Sequence, residues 1–165
     1  MKQLLILSGK GGTGKTTIAS AFIKLANAQA FADCDVDAPN LHLIMNKMGE
    51  PRRSDYYGLD KARINEEQCI GCGICKQNCR FDAISEKDGV YEVDYFGCEG
   101  CSVCEALCPV KAVEMVPALA GELMLYKTDA AVFSTAQLKM GSGTSGMLVT
   151  SAKNQMKDAA NPRTE

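Results

Sequence analysis

CIGCGICKQNC, residues 69–79, and CEGCSVCEALC, residues 98–108, are two copies of one pattern. Both are spaced C-x₂-C-x₂-C-x₃-C. Cys69, Cys72, Cys75 and Cys79 therefore recur as Cys98, Cys101, Cys104 and Cys108, each 29 positions later. The flanks repeat too, Ala83-Ile84 against Ala112-Val113. A constant offset through eight cysteines predicts a duplicated unit with pseudo-two-fold symmetry. Between the copies, Asp88-Gly89 precedes alternating residues Val90 to Val93 and predicts a hairpin turn.

The spacing also selects the metal. Three thiolates within seven residues can wrap one corner of a cubane, each capping a different iron. The fourth cysteine lies too far round and reaches the cluster built by the other half. The expected ligand sets for two [4Fe–4S] clusters are thus Cys69, Cys72, Cys75 and Cys108, and Cys98, Cys101, Cys104 and Cys79. Zinc sites use C-x₂-C pairs set apart from one another rather than three cysteines so close together. Disulfides belong to oxidising compartments. Two centres with crossed ligands sit close enough for fast electron exchange.

Upstream, residues 9–17 read GKGGTGKTT, a full match to G-x-x-x-x-G-K-[ST]. Gly9, Gly11, Gly12 and Gly14 let the backbone curl so that its N–H groups, with those of Thr13 and Thr17, face phosphates. A helix from about Thr16 to Ala28 adds its positive dipole end. Lys15 can reach the β- and γ-phosphates of ATP, and the Thr16 hydroxyl can ligand Mg²⁺. Gln3 to Leu7 reads as the preceding buried strand, and Ile18, Phe22, Leu25 and Ala26 recur at helical spacing to pack on a sheet. Strand, glycine turn and helix make the opening of a βαβ unit.

A second, less apolar strand is expected to end near Asp33, followed by the acidic loop DCDVDAPN at 33–40. An EF-hand is excluded, because the sixth loop position is not Gly and the twelfth is not Glu. Cys34 stands outside both quartets and reads as a small buried residue. Residues 50–61 read as a connection. After Pro117, strands are expected over Glu122–Tyr126 and Ala130–Phe133, a Gly/Ser loop at 141–146, and a helix from Leu148 to Ala160. His42, the single histidine, reads as a packed side chain.

The 165 residues carry a net charge of −2, with 46% apolar and 23% charged residues. That balance gives no electrostatic footprint for nucleic acid. The first apolar run, Leu4 to Leu7, is too short for a signal peptide or a membrane span, which makes the expected location cytoplasmic.

The stretch 62–116 resembles the bacterial two-cluster ferredoxins, with Arg80 in the place of the proline that follows the quartet in that family. Lys10, directly after the first glycine, resembles the deviant P-loop of the MinD/ParA superfamily. Taken together, the chain resembles members of that superfamily that carry an inserted two-cluster ferredoxin domain. The resemblance implies an α/β fold: a mostly parallel P-loop sheet with helices on both faces, incomplete at the C-terminus, and an inserted α+β domain. The implied division is 1–61 and 117–165 for the ATPase domain and 62–116 for the insert. It further implies that Lys10 reaches phosphate across a nucleotide-dependent homodimer, and that Asp33 and Asp35, with Asp37 as a further candidate, sense Mg²⁺ and place the attacking water, with Lys10, Lys15 and Asp35 catalytic. The Walker B/switch II element of the family is not present after Ala160, which makes ATP hydrolysis doubtful. The functional expectation is an ATP-binding iron–sulfur protein passing electrons to a redox or cluster-accepting partner. The alternatives are a cluster assembly or carrier protein, and a ferredoxin-like carrier with an inactive ATPase half.

Overall fold

The computed structural model describes residues 3–45 and 48–160. Its first elements are helix α1 (Lys15–Leu25), strand β1 (Ala30–Ala32), helix α2 (Leu41–Ile44), and strands β2 (Arg52–Tyr57) and β3 (Lys61–Ile64). Helix α3 (Ile74–Gln77), strands β4 (Ile84–Lys87) and β5 (Val90–Val93), helix α4 (Val103–Leu107) and strand β6 (Val113–Val116) follow. Strands β7 (Leu119–Lys127) and β8 (Val132–Leu138) and helix α5 (Ser145–Ala160) complete the chain. Two compact units result: of the described residues, 3–45, 48–55, 122–138 and 145–160 form one, and 56–121 with 139–144 form the other.

The first unit is organised on a four-stranded mixed sheet of order β1-β8-β7-β2, in which β1 runs parallel to β8 and Phe31 faces Phe133. Phe133, wholly buried, stacks with Phe31 and Tyr126 at centroid separations of 5.1 and 5.2 Å. Leu41 and Met124 complete this core. Helix α5 contributes Leu148 and Ala152, both with no exposure. Full burial of Phe133 and Leu148 stabilises by about 1.5–3 kcal/mol each. The buried Ser134 hydroxyl donates to Gln155 Oε1 of α5 at 2.8 Å, so that its desolvation is compensated.

Three expectations fail here. Residues 3–7 form no strand, and Leu4, Leu5 and Leu7 are exposed. A strand is stable only where its N–H and C=O groups pair and one face is covered, and among the described residues nothing pairs with this segment. The mostly parallel P-loop sheet is therefore replaced by the small mixed one. The helix α1 also turns differently: Ile18, Phe22 and Leu25 face solvent, and it is Ile23 that packs on the Phe31–Phe133 core. It stops at Leu25 because Asn27 enters the left-handed region at φ 46°. Finally, residues 50–61 are not a plain connection. RRSDYY forms the edge strand β2 with only Tyr56 buried, a pattern without the alternation by which strands are recognised.

The second unit realises the repeat. Strands β3 and β6 pair antiparallel with Lys61 opposite Val116, and β5 and β4 with Val90 opposite Lys87. The 29-residue offset carries one ladder onto the other. Backbone bonds repeat with it: Asn65 N–H to Ala112 O and Asp94 N–H to Ala83 O are both 2.7 Å, and Cys69 N–H to Asn65 O and Cys98 N–H to Asp94 O are both 3.0 Å. The Asp88-Gly89 turn has φ of 53° and 81°, as a two-residue hairpin requires. The core of this unit is made of small groups, Ala62, Ala83, Cys98 and Val113.

Candidate iron–sulfur centre

Each quartet is delivered by the same local device. A loop with positive φ at Gly71 and Gly73, or at Gly100 and Ser102, leads into a single helical turn, α3 or α4, that carries the third cysteine. A residue at positive φ, Asp82 or Lys111, then turns the chain beyond the fourth. Burial pushes the Cys75 thiol up, and the neighbouring Cys69 and Cys72 add to it. Burial likewise raises Cys104, with Cys98 and Cys101 adding.

The second quartet can be tested directly. A pocket is lined by Cys98, Cys101 and Cys104 together with Cys79 from the other half, against Ala62 and Ala83. Cys79 thus lines the same pocket as three cysteines of the other half, and the pocket surface is mainly apolar, which suits an iron–sulfur cubane. No three His, Cys, Asp or Glu side chains among the described residues converge so as to hold a single ion. A cubane does not ask for this, because each of its irons takes one thiolate.

At the end of the second quartet, Cys108 Sγ accepts the Ala112 N–H at 3.2 Å. Burial raises this thiol, but the N–H groups of Ala112, Val110, Val113 and Lys111 together outweigh it and hold Cys108 below the ordinary thiol range. A ring of amides around one sulfur stabilises the thiolate that a metal needs. Tyr91 was missed by motif reading; its hydroxyl stands against Gly73 in the loop between Cys72 and Cys75. Burial is the first cause of its raised pKa, followed by Glu86 and the thiols of Cys75, Cys72 and Cys69.

The glycine loop lies in the other unit. Gly12 and Gly14 have φ of 75° and 82°, and Gly14 caps α1 without a side-chain bond. Gly9, Lys10, Gly11, Gly12, Thr13 and Gly14 are exposed, and no heavy atom approaches within 4 Å of where a Cβ would stand on any of the four glycines. Lys15 Nζ pairs with Asp35 Oδ2 at 3.1 Å, and the Thr16 hydroxyl donates to Asn40 Oδ1 at 2.7 Å. Thr17 contributes its carbonyl to Ser20 Oγ. Asp33 is otherwise employed: its carboxylate accepts the N–H groups of Asp35, Asn40 and Leu41 and ties the acidic loop together. Asp37 is exposed, and its backbone carbonyl accepts Gln137 Nε2. Cys34 is exposed rather than buried. His42 is half-buried, with a buried Nδ1.

Comparison with known proteins agrees with the cysteine geometry. Residues 62–115 match the family of 4Fe-4S dicluster domains. No P-loop ATPase family matches. An uncharacterized protein of Methanocaldococcus jannaschii is 37% identical over 101 residues, 59% of this chain and 34% of that protein. A component of the ion-translocating oxidoreductase complex of Methanosarcina acetivorans is 38% identical over 63 residues, 38% of this chain and 24% of its own length. The pyruvate synthase subunit PorD of Thermotoga maritima is 36% identical over 77 residues, 45% of this chain and 78% of its own. The chain thus spans about a third or less of the first two. No helix among the described residues is long and apolar enough to cross a membrane. Residues 62–115 are a two-[4Fe–4S] electron-transfer domain, and through it the chain belongs to the dicluster ferredoxins.

Proposed function

We propose that this chain is a ferredoxin-type electron carrier that serves a larger redox enzyme. Cys69, Cys72, Cys75 and Cys108 hold one cluster, and Cys98, Cys101, Cys104 and Cys79 hold the other. The observation that carries the assignment is the pocket at which Cys79 joins the three cysteines of the opposite half. Each cluster, when bound, takes up and returns a single electron, and no bond of the protein is made or broken. The chain's own work is to supply thiolates, to exclude water with Ala62, Ala83 and Val113, and to keep the two sites adjacent. Relatives named as parts of an oxidoreductase complex and of pyruvate synthase support a partner of the same kind, an enzyme that releases or accepts low-potential electrons.

The test is anaerobic purification followed by iron and sulfide analysis and electron paramagnetic resonance of the reduced protein. Two magnetically interacting [4Fe–4S] centres are expected. Zinc in the purified protein, or one cluster only, would overturn the reading.

A second reading adds nucleotide to the first unit, and a specific observation favours it. Lys15 and Thr16, at the start of α1, face the carboxylate of Asp35 and the amide of Asn40, while loop 9–14 stays open. In this reading Lys15 and Lys10 bind the phosphates of MgATP, Thr16 ligands Mg²⁺, and Asp35 orients water. Binding of MgATP by the cluster-loaded protein, absent in Lys15→Ala, supports it. Equal affinities of the two proteins refute it and leave electron carriage alone.

A further inference from the structure

The repeat makes each half a control for the other; the halves carry different charges at several equivalent positions, and Lys61 is one that is held on the backbone of a quartet cysteine. Lys61 opens β3 and Val90 opens β5, at equivalent positions. Lys61 Nζ donates to the carbonyl oxygens of Tyr95 and Cys98, both at 2.8 Å, and lies 5.0 Å from the centre of the Tyr95 ring. Two carbonyls and an aromatic face fix the ammonium beside Cys98. Val90 brings no charge to the corresponding place near Cys69.

The surroundings differ in the same sense. Cys98 is buried, whereas Cys69 is only half-buried. The Gly/Ser loop packs here: a Cβ on Gly141 would stand 2.7 Å from the Phe96 ring, and one on Gly143 would stand 2.8 Å from Glu99 Oε2. Phe96 and Glu99 flank Cys98. Their equivalents beside Cys69 are Glu67 and Ile70, and all four side chains are exposed. The difference in burial lies in the cysteines themselves, and the fixed cation stands beside the buried one. The other charges next to the quartet cysteines, Glu99 and Glu105 on this motif and Lys76 and Arg80 on the other, are exposed and are screened by solvent.

We infer that Lys61 sets the order in which the clusters fill, raising the reduction potential of the one held by Cys98, Cys101, Cys104 and Cys79 above that of the other. This rests on the ligand assignment proposed above. The physical basis is charge. An added electron makes the site more negative, and a positive group that is already in place stabilises the reduced form more than the oxidised one. The more open site at Cys69, Cys72, Cys75 and Cys108 is then the lower-potential one.

The experiment is a redox titration of the full chain, monitored by electron paramagnetic resonance, with Lys61→Met, Lys61→Arg and Val90→Lys beside the wild type. Lys61→Met is expected to lower the more positive midpoint by at least the equivalent of a tenfold change in reduced-to-oxidised ratio, about 59 mV for a one-electron couple, and to leave the other unmoved. Lys61→Arg retains the wild-type midpoints. Val90, 38% exposed, has room for a longer side chain, and Val90→Lys raises the more negative midpoint. Unchanged midpoints in both Lys61→Met and Val90→Lys, or movement of the more negative one in Lys61→Met, would overturn the inference. Iron and sulfide content of the wild type, measured first, shows separately whether the cluster assignment itself has failed.

Discussion

Tyr91 fills the space that Gly73 leaves empty: its hydroxyl oxygen stands 2.9 Å from the point where a Cβ on Gly73 would lie. The other half solves the same problem in reverse. Ser102, the equivalent of Gly73, keeps a side chain at φ 60°, and the residue equivalent to Tyr91 is Ala62. Gly73→Ala therefore meets two penalties, the left-handed backbone at φ 72° and contact with the tyrosine. The backbone part alone costs about 1–2 kcal/mol. The expected result is a loss of about 1–3 kcal/mol in urea unfolding of the cluster-loaded protein. Gly73→Ala/Tyr91→Phe should recover the contact part, giving a coupling above about 0.5 kcal/mol. Additive single effects would show that the two residues do not compete for space.

Crossed ligation has a consequence that uncrossed ligation lacks. If Cys79 serves the second cluster, Cys79→Ala damages the site of Cys98, Cys101 and Cys104 and leaves that of Cys69, Cys72 and Cys75 intact. Cys108→Ala does the converse. Each variant is expected to retain about half of the wild-type iron. The spectra should then be those of the opposite cluster from the one the sequence position suggests. Comparing each with Cys98→Ala and Cys69→Ala settles it: Cys79→Ala should match Cys98→Ala. A match to Cys69→Ala would show that each quartet closes on itself.

The dicluster domain was legible in the sequence because cluster geometry constrains cysteine spacing directly, and the duplicated ladders β3–β6 and β4–β5 followed from the same offset. Tyr91 and Lys61 were not legible. Neither belongs to a motif, and both act as departures from a symmetry that has to be aligned before they stand out. The first strand failed for another reason. Leu4 to Leu7 have the composition of a buried strand, yet burial depends on a neighbour, which local composition does not encode. Helix α1 inherited that error, since its apolar residues Ile18, Phe22 and Leu25 suit a sheet that the described residues do not form. Edge strand β2 was overlooked because RRSDYY exposes all but Tyr56, leaving no hydrophobic period to detect.

Cys34 has no place in either ligand set and is exposed, yet neighbouring atoms desolvate its thiol and raise its pKa above the ordinary value. Asp33 pushes in the same direction, while Lys153 and Lys15 oppose. Because the neutral form is the protonated one, a raised pKa keeps the unreactive thiol to higher pH. In cluster-loaded protein, iodoacetamide labelling at pH 7.5 is expected to be slower than that of free cysteine, then to rise about tenfold per pH unit through pH 9. A rate that levels off below pH 8.5 would mean that the lysines prevail. The linked stability term has the same sign: it is fully present below the ordinary thiol value and lost as pH rises through the folded one.

The pairing of Lys15 with Asp35 sets the last prediction. In the nucleotide reading, the ammonium that is to meet phosphate is already bonded to a carboxylate at 3.1 Å, so binding must break that pair. Both side chains are about one-third exposed, which keeps the pair in the range of surface ion pairs, roughly 0.2–1 kcal/mol. Asp35→Asn removes the competing charge while keeping size and shape. MgATP affinity should therefore rise by about 1.4- to 5-fold, as that energy converts at RT, and any turnover should fall because the water loses its carboxylate. Asp33→Asn should behave differently, since Asp33 holds backbone N–H groups rather than Lys15. It should weaken the fold of loop 33–41 and not improve binding. Calorimetric titration of both variants separates the two roles, and lower affinity in Asp35→Asn would mean that Asp35 positions Lys15 for phosphate instead of competing for it.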